Sequence, residues 1–170
     1  ETLVNSLGKP SLKHQIFFIN NIYPDEVKEI LDKIDLKESL FFIVSKSGST
    51  AETIASFCLI LNHFKKNGFS EEDFYQSTVI ATDPDKGQLR SLANSYKIET
   101  LPIPENIGGR FCVFTPVGLF PSLFAGIDIK KILEGAETLK KQLTEKDLQK
   151  NILTKAASFL YSLKSKKNIN

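Results

Sequence analysis

The chain has 170 residues and a net charge of +2, enough for one domain with a buried core and too short for two ordinary ones. Its apolar fraction of 41% and charged fraction of 25% are those of a soluble globular protein, and so small a net charge gives no ground for a nucleic-acid or membrane partner. The longest apolar runs, such as Leu40 to Val44, fall far short of a membrane-spanning helix, and no basic-then-apolar leader opens the chain. It begins on Glu1 and contains no Met, as expected of a piece of a longer protein. Cys58 and Cys112 stand in apolar surroundings with no His or second Cys at metal-ligand spacing. A reduced, cytoplasmic setting is therefore expected, with no metal and no cofactor.

Gln15 to Ile19 (QIFFI) and Leu40 to Val44 (LFFIV) read as strands buried on both faces. Between them Pro24 opens PDEVKEILDKID, in which Val27, Ile30, Leu31 and Ile34 fall at helical spacing. After Val44 the run SKSGST leads into AETIASFCLILNHFKK, with Ile54, Cys58, Leu61 and Phe64 as its apolar stripe and a stop at Asn67-Gly68. The stripe makes Cys58 a packing residue.

Ser77 to Thr82 is the next strand, followed by a short helix carrying Leu89, Leu92 and Ala93, and then by a strand over Ile98 to Ile103. Thr115 to Gly126, Ile129 to Leu143 and Asp147 to Leu163 read as helices. Their stripes include Ile132, Leu133, Ala136, Leu139 and Leu143, then Leu148, Ile152, Ala156, Phe159 and Leu160. Strands and helices in alternation predict an α/β fold, a parallel sheet flanked by helices on both faces, with C-terminal helices. Such a sheet binds ligands at the carboxyl ends of its strands.

The stretch from Ser45 to Thr53 leaves one of those ends and becomes the first turn of a helix. It holds five hydroxyls and one ammonium in nine residues: Ser45, Lys46, Ser47, Ser49, Thr50 and Thr53 carry them, and Gly48 lets the backbone approach closely. Unpaired N–H groups and the positive dipole end of a helix hold a phosphate there, reinforced by the hydroxyls. A bond to a charged group contributes roughly 1.5 to 3 kcal/mol, so several would account for micromolar-to-millimolar binding, about 4 to 8 kcal/mol. The competing reading is a capping box of Ser49 and Glu52 with Ser47 and Thr50 as turn formers; it explains two residues and leaves the rest of the cluster. Neither the G-x-x-x-x-G-K-[ST] nor the G-x-G-x-x-G spacing is present, which disfavours nucleotides and leaves a small phosphorylated metabolite.

A second candidate is Ile107-Gly108-Gly109-Arg110-Phe111. Paired glycines allow a tight excursion that presents the Arg110 guanidinium into a cleft, where it would stabilise an oxyanion. A glycine turn followed by a surface Arg fits the same residues equally well. Thr115-Pro116 opens the next helix in the ordinary way. His14 and His63 read as solvated or satisfied histidines and carry no role.

Taken together, FFIVSKSGSTAET and IGGRFCVFTPVGLFPSLFAGID resemble the bacterial glucose-6-phosphate isomerase family, in which S-K-[ST]-x-x-T-x-E-T and G-G-R-[FY]-S-x-x-[ST]-x-x-G-L are characteristic. IFFINNIYPDEVKEIL and IKKILEGAETL are similar to the family's segments before the first motif and after the second. The resemblance implies a sugar isomerase domain, a flavodoxin-like three-layer fold with a five-stranded parallel sheet, present twice in the whole enzyme. Residues 1–170 would be most of the first copy, with about 128–170 a helical extension toward the second.

The resemblance further implies that Ser45, Lys46, Ser47, Thr50 and Thr53 hold the substrate phosphate, with Gly48 and Ser49 lining the loop. Arg110 would stabilise the cis-enediol that links glucose 6-phosphate to fructose 6-phosphate in glycolysis and gluconeogenesis, with Glu52, Gly108 and Gly109 in support. The whole enzyme would be a homodimer. The family's G-I-G-G-S segment and its downstream glutamate, histidine and lysine are not in the chain, and Cys112 stands where serine is common. Isomerisation needs a positioned base; Glu52, the one carboxylate near the anchor, is expected to be held by the cap or by Lys46, so the chain alone is expected to be inactive. A non-catalytic sugar-phosphate sensor and a purely structural domain are the alternative readings.

Overall fold

Three short runs of β-favouring residues pair in parallel: β1 (Phe41–Ser45), β2 (Thr78–Thr82) and β3 (Glu99–Pro102), in the order β1-β2-β3. The computed structural model describes residues 1–7 and 14–167. Phe41 stands opposite Thr78 and Ser45 opposite Thr82. Alternation along each strand then puts Phe41, Ile43, Ser45, Thr78, Ile80 and Thr82 on one face.

Around the sheet run α1 (Thr2–Leu7), α2 (Pro24–Lys33), α3 (Ala51–Lys66), α4 (Glu71–Gln76), α5 (Gln88–Tyr96), a 3-10 helix (Gly109–Phe114) and α6 (Pro116–Phe124). Val27 and Leu31 of α2, Phe57, Ile60 and Phe64 of α3, Phe74 of α4 and Leu89 and Ala93 of α5 bury against Phe41, Ile43 and Ile80. Phe74 is the hub, fully buried, with ring centroids 5.0 Å from Phe57, 5.1 Å from Phe64 and 5.7 Å from Phe41. Each such pair contributes about 0.5–1.5 kcal/mol beyond burial itself. The opposite face is covered by α6, whose Phe120 lies 4.7 Å from Phe42, and α1 packs on α6. The sheet is thus flanked by helices on both faces.

Several expectations need correction. Gln15 to Ile19 is not a strand: among the described residues none of its backbone groups has a ladder partner, and Phe17 is exposed. An apolar run becomes a strand only when a neighbour takes up its N–H and C=O groups, and β1 pairs on one edge with β2 alone. Cys58 is exposed rather than packed, because the buried face of α3 is centred on Phe57, Ile60 and Phe64. At about 100° per residue, position 58 then falls beyond the edge of that stripe. The last strand begins at Glu99 because Lys97 turns left-handed at the end of α5 (φ 55°), bringing the N–H of buried Ile98 back to the Ala93 carbonyl at 3.0 Å.

The chain divides into two compact units, and the second begins at Asp128. It holds α7 (Ile129–Leu143) and α8 (Ile152–Lys167). The first has the expected bounds, with Asp128 capping it through the N–H groups of Lys130 and Lys131. The second begins at Ile152 rather than Asp147 because Asn151 is its cap, accepting from Leu153 N–H at 2.8 Å and Thr154 N–H at 3.3 Å. Leu133, Leu139, Phe159 and Leu160 of the two stripes are exposed. Among the described residues no helix is long and apolar enough to cross a membrane.

Candidate functional site

β1 delivers Ser45, buried, to the carboxyl edge of the sheet, and the chain turns through Gly48 at φ +64° before α3 starts at Ala51. The turn is closed by Gly48 N–H donating to the Ser45 carbonyl at 3.1 Å. A side chain at position 48 would bring its Cβ within 2.9 Å of Thr82 Oγ1 and 3.2 Å of Gly87 Cα. Glycine at 48 therefore serves a close approach to β2 and its following loop. Two backbone bonds hold that approach in place: Asp83 N–H to the Lys46 carbonyl at 3.1 Å, and Leu89 N–H to the Gly48 carbonyl at 2.9 Å.

The hydroxyls of the cluster are arranged to donate. Ser45 Oγ and Thr50 Oγ1 lie 2.8 Å apart and share one proton, leaving the other free. Ser47 Oγ accepts from Ser49 N–H at 3.2 Å and Ser49 Oγ from Gln88 N–H at 3.5 Å, so both keep their own protons for an acceptor. Thr53 differs: its hydroxyl donates to the Val44 carbonyl at 3.4 Å.

Thr50 takes the N-cap position without a side-chain cap bond, and no Ser49–Glu52 box forms. The N–H groups of the first turn of α3 thus lack the partners that capping gives. The expectation that capping or Lys46 holds Glu52 also fails. The Glu52 side chain is in neither bond, and Lys46 Nζ instead donates to the Glu105 carbonyl at 3.0 Å.

The second candidate is differently built from its reading. Neither Gly108 nor Gly109 has a positive φ; Gly108 sits at φ −65°, a conformation open to other residues, so the pair makes no glycine-only excursion. Arg110 is exposed in the first turn of the 3-10 helix and has no ion-pair partner among the described residues. Farther along, Gly118 is the residue that sterics demand, since a Cβ there would meet the Val113 carbonyl oxygen at 2.2 Å. Thr115 caps α6 as expected, accepting from Val117 N–H at 3.3 Å.

Sequence reading missed the second wall of the site, made by Thr82, Asp83, Lys86 and Gly87. Asp83 holds the turn by accepting from the N–H groups of Asp85 and Lys86, both at 2.9 Å, and these bonds lower its pKa below the ordinary carboxylate value. Lys86 Nζ reaches the Glu105 carboxylate at 3.4 Å. The run Asp83-Pro84-Asp85-Lys86-Gly87 carried a turn signal that gave no hint of its contact with Ser47 and Gly48.

These features define a class: a parallel α/β domain with a hydroxyl-rich loop and an uncapped helix start at the carboxyl edge of its sheet. A phosphoglucose isomerase family model matches residues 2–165, and the chain belongs to that family. A glucose-6-phosphate isomerase of Methanocaldococcus jannaschii is 40% identical over 152 residues, covering 88% of this chain and 36% of the relative. One from Carboxydothermus hydrogenoformans is 33% identical over 156 residues, 88% of this chain and 33% of the relative. Among solved structures, a hypothetical protein of Thermus thermophilus aligns with a TM-score of 0.79 at 33% identity, over 88% of this chain and 35% of the other. A glucose-6-phosphate isomerase from Chlamydia trachomatis aligns at 0.73 and 27%, over 89% and 28%. The chain spans about a third of the length of the curated relatives it matches.

Proposed function

We propose that this chain is the sugar-phosphate-binding portion of a glucose-6-phosphate isomerase, with the phosphoryl group anchored by Ser45, Lys46, Ser47 and Thr50 around Gly48 and Ser49, and with the Thr53 hydroxyl tying the start of α3 to the Val44 carbonyl. The observation that carries the reading is the open first turn of α3: amide N–H groups without a side-chain cap, beside two serine hydroxyls that accept from backbone and keep their protons. A dianion there would complete the helix and take donors from hydroxyls and ammonium alike. Kinship with glucose-6-phosphate isomerases supports the reaction assigned here to the whole protein, an aldose-ketose interconversion of glucose 6-phosphate and fructose 6-phosphate through a cis-enediol. Arg110 stabilises the enediolate oxygen, and the whole protein works as a homodimer.

Proton transfer between the sugar carbons needs a base within hydrogen-bond reach. Glu52 is exposed at the start of α3, Asp83 is engaged by the N–H groups of Asp85 and Lys86, and Glu105 pairs with Lys86; we assign none of the three as that base, so on this reading the chain binds substrate and does not turn it over. Titration with inorganic phosphate or 6-phosphogluconate, followed by the amide shifts of Gly48 to Thr53, tests the anchor. Binding should be abolished by Ser47→Asp, which sets a carboxylate against the anion. A wild-type chain that shows no shift sinks the anchor, and fructose 6-phosphate formed by the purified chain sinks its inactivity.

A further inference from the structure

Thr82 ends β2 with its side chain fully buried, and its hydroxyl has no hydrogen-bond partner among the described residues. A buried hydroxyl left unpaired opposes folding, so a native chain that keeps one calls for an explanation. The Thr82 carbonyl accepts from Ile103 N–H at 2.8 Å; the hydroxyl is spare.

That hydroxyl faces the underside of the candidate anion loop. It lies 2.9 Å from the point where a Cβ at Gly48 would stand, and Thr82 is the ladder partner of Ser45, whose own hydroxyl is paired with Thr50. On either side of it the loop is tied to the segment after β2, through Lys46 and Gly48. Only glycine at position 48 lets the loop backbone lie over this hydroxyl without a Cβ crowding it.

We propose that Thr82 is a positioning residue of the anion site, whose hydroxyl gains its acceptor when the backbone from Lys46 to Thr50 closes on a bound anion. The proposal rests on the reading of that loop as the phosphoryl anchor. A group unpaired in the empty arrangement and paired in the occupied one contributes to the difference between them, and only such a difference lets a ligand shift the loop. The spare hydroxyl thus weakens the empty loop and strengthens the filled one. A merely tolerated packing defect would do the first without the second.

The two roles separate in Thr82→Val, which keeps the shape and removes the hydroxyl, with Thr82→Ser as the variant that retains it. Inorganic phosphate is titrated into each chain while the amide shifts of Gly48 and Ala51 are followed, and each is melted without phosphate. Thr82→Val should melt at a higher temperature than wild type yet bind phosphate about 5- to 20-fold more weakly, as loss of one hydrogen bond implies, while Thr82→Ser stays within about 2-fold. Thr82→Val binding as wild type does, or melting at a lower temperature, overturns the proposal while leaving the anchor standing. A wild-type chain that does not bind phosphate overturns the anchor, and the role of Thr82 with it.

Discussion

The ammonium of Lys46 donates to the carbonyl of Glu105 at 3.0 Å, and through that bond the loop after β1 is fastened to the segment that runs from β3 toward Arg110. The carboxylate of the same Glu105 meets Lys86, so one residue takes a lysine from each of two neighbouring loops. The exposed ion pair adds little to stability; its effect is on where the segment sits.

Lys46→Met keeps the apolar stem and removes the charge. Phosphate affinity should fall about 10- to 100-fold, the range of one charge-assisted bond at roughly 1.5 to 3 kcal/mol. The Ile107 N–H, which donates to Pro104 at 3.1 Å in the tethered segment, should exchange faster with solvent. A phosphate titration and hydrogen exchange measure the two effects, and an unchanged affinity would take Lys46 out of the anchor.

Gly87 and Gly68 both adopt positive φ, +98° and +83°, but their surroundings differ. A Cβ at 87 would stand 2.3 Å from the Ser47 carbonyl oxygen, whereas nothing lies within 4 Å of one at 68. Gly68→Ala should cost only the backbone strain, about 1–2 kcal/mol. Gly87→Ala adds a clash with backbone that cannot rotate away, another ~1–3 kcal/mol, and displaces the Ser47–Gly48 turn. Urea unfolding of the two variants checks the order; equal losses would mean that the turn yields freely.

The first wall of the site was legible because its chemistry is concentrated in nine consecutive residues, and clustered hydroxyls at a strand-to-helix turn need no long-range information. The second wall was not, because Thr82 and Gly87 acquire their meaning from Gly48 and Ser47 in the loop after a different strand, a contact set by the parallel pairing of β1 with β2. The strand expected over Gln15 to Ile19 failed for the same kind of reason: composition sets what a run favours, and a partner decides whether it forms a ladder. Helix α4, by contrast, went unread although its signal is local, a capping box between Ser70 and Asp73. Cys58 shows how spacing misleads when four positions fit a stripe that the larger side chains Phe57 and Ile60 recentre.

Asp83 links the site to pH. Its carboxylate accepts from Asp85 and Lys86 N–H groups and is held below its ordinary value by those bonds. A carboxylate with a lowered folded-state pKa contributes stability that is complete above its unfolded value, about 3.9, and is lost as pH falls through the folded one. The difference in melting temperature between wild type and Asp83→Asn should therefore be constant from about pH 5 to 7 and shrink below about pH 4. Other carboxylates titrate in both chains and drop out of the comparison. A difference that grows in acid would reverse the assignment.

Asn151 joins the two helices of the second unit with one side chain. Its amide group donates to the carbonyls of Leu143 at 3.0 Å and Glu145 at 2.8 Å, closing the end of α7, while its oxygen caps α8 through Leu153 and Thr154. Asn151→Ala removes both functions and should cost about 1–2 kcal/mol. Asn151→Asp keeps the oxygen acceptor at the start of α8, where negative charge is favoured, but turns a second acceptor toward the α7 carbonyls. Amide exchange at Leu153 and Thr154 should therefore quicken in the alanine variant and stay slow in the aspartate variant, although both lose stability. Equal protection of those two amides in wild type and Asn151→Ala would mean that α8 starts without its cap.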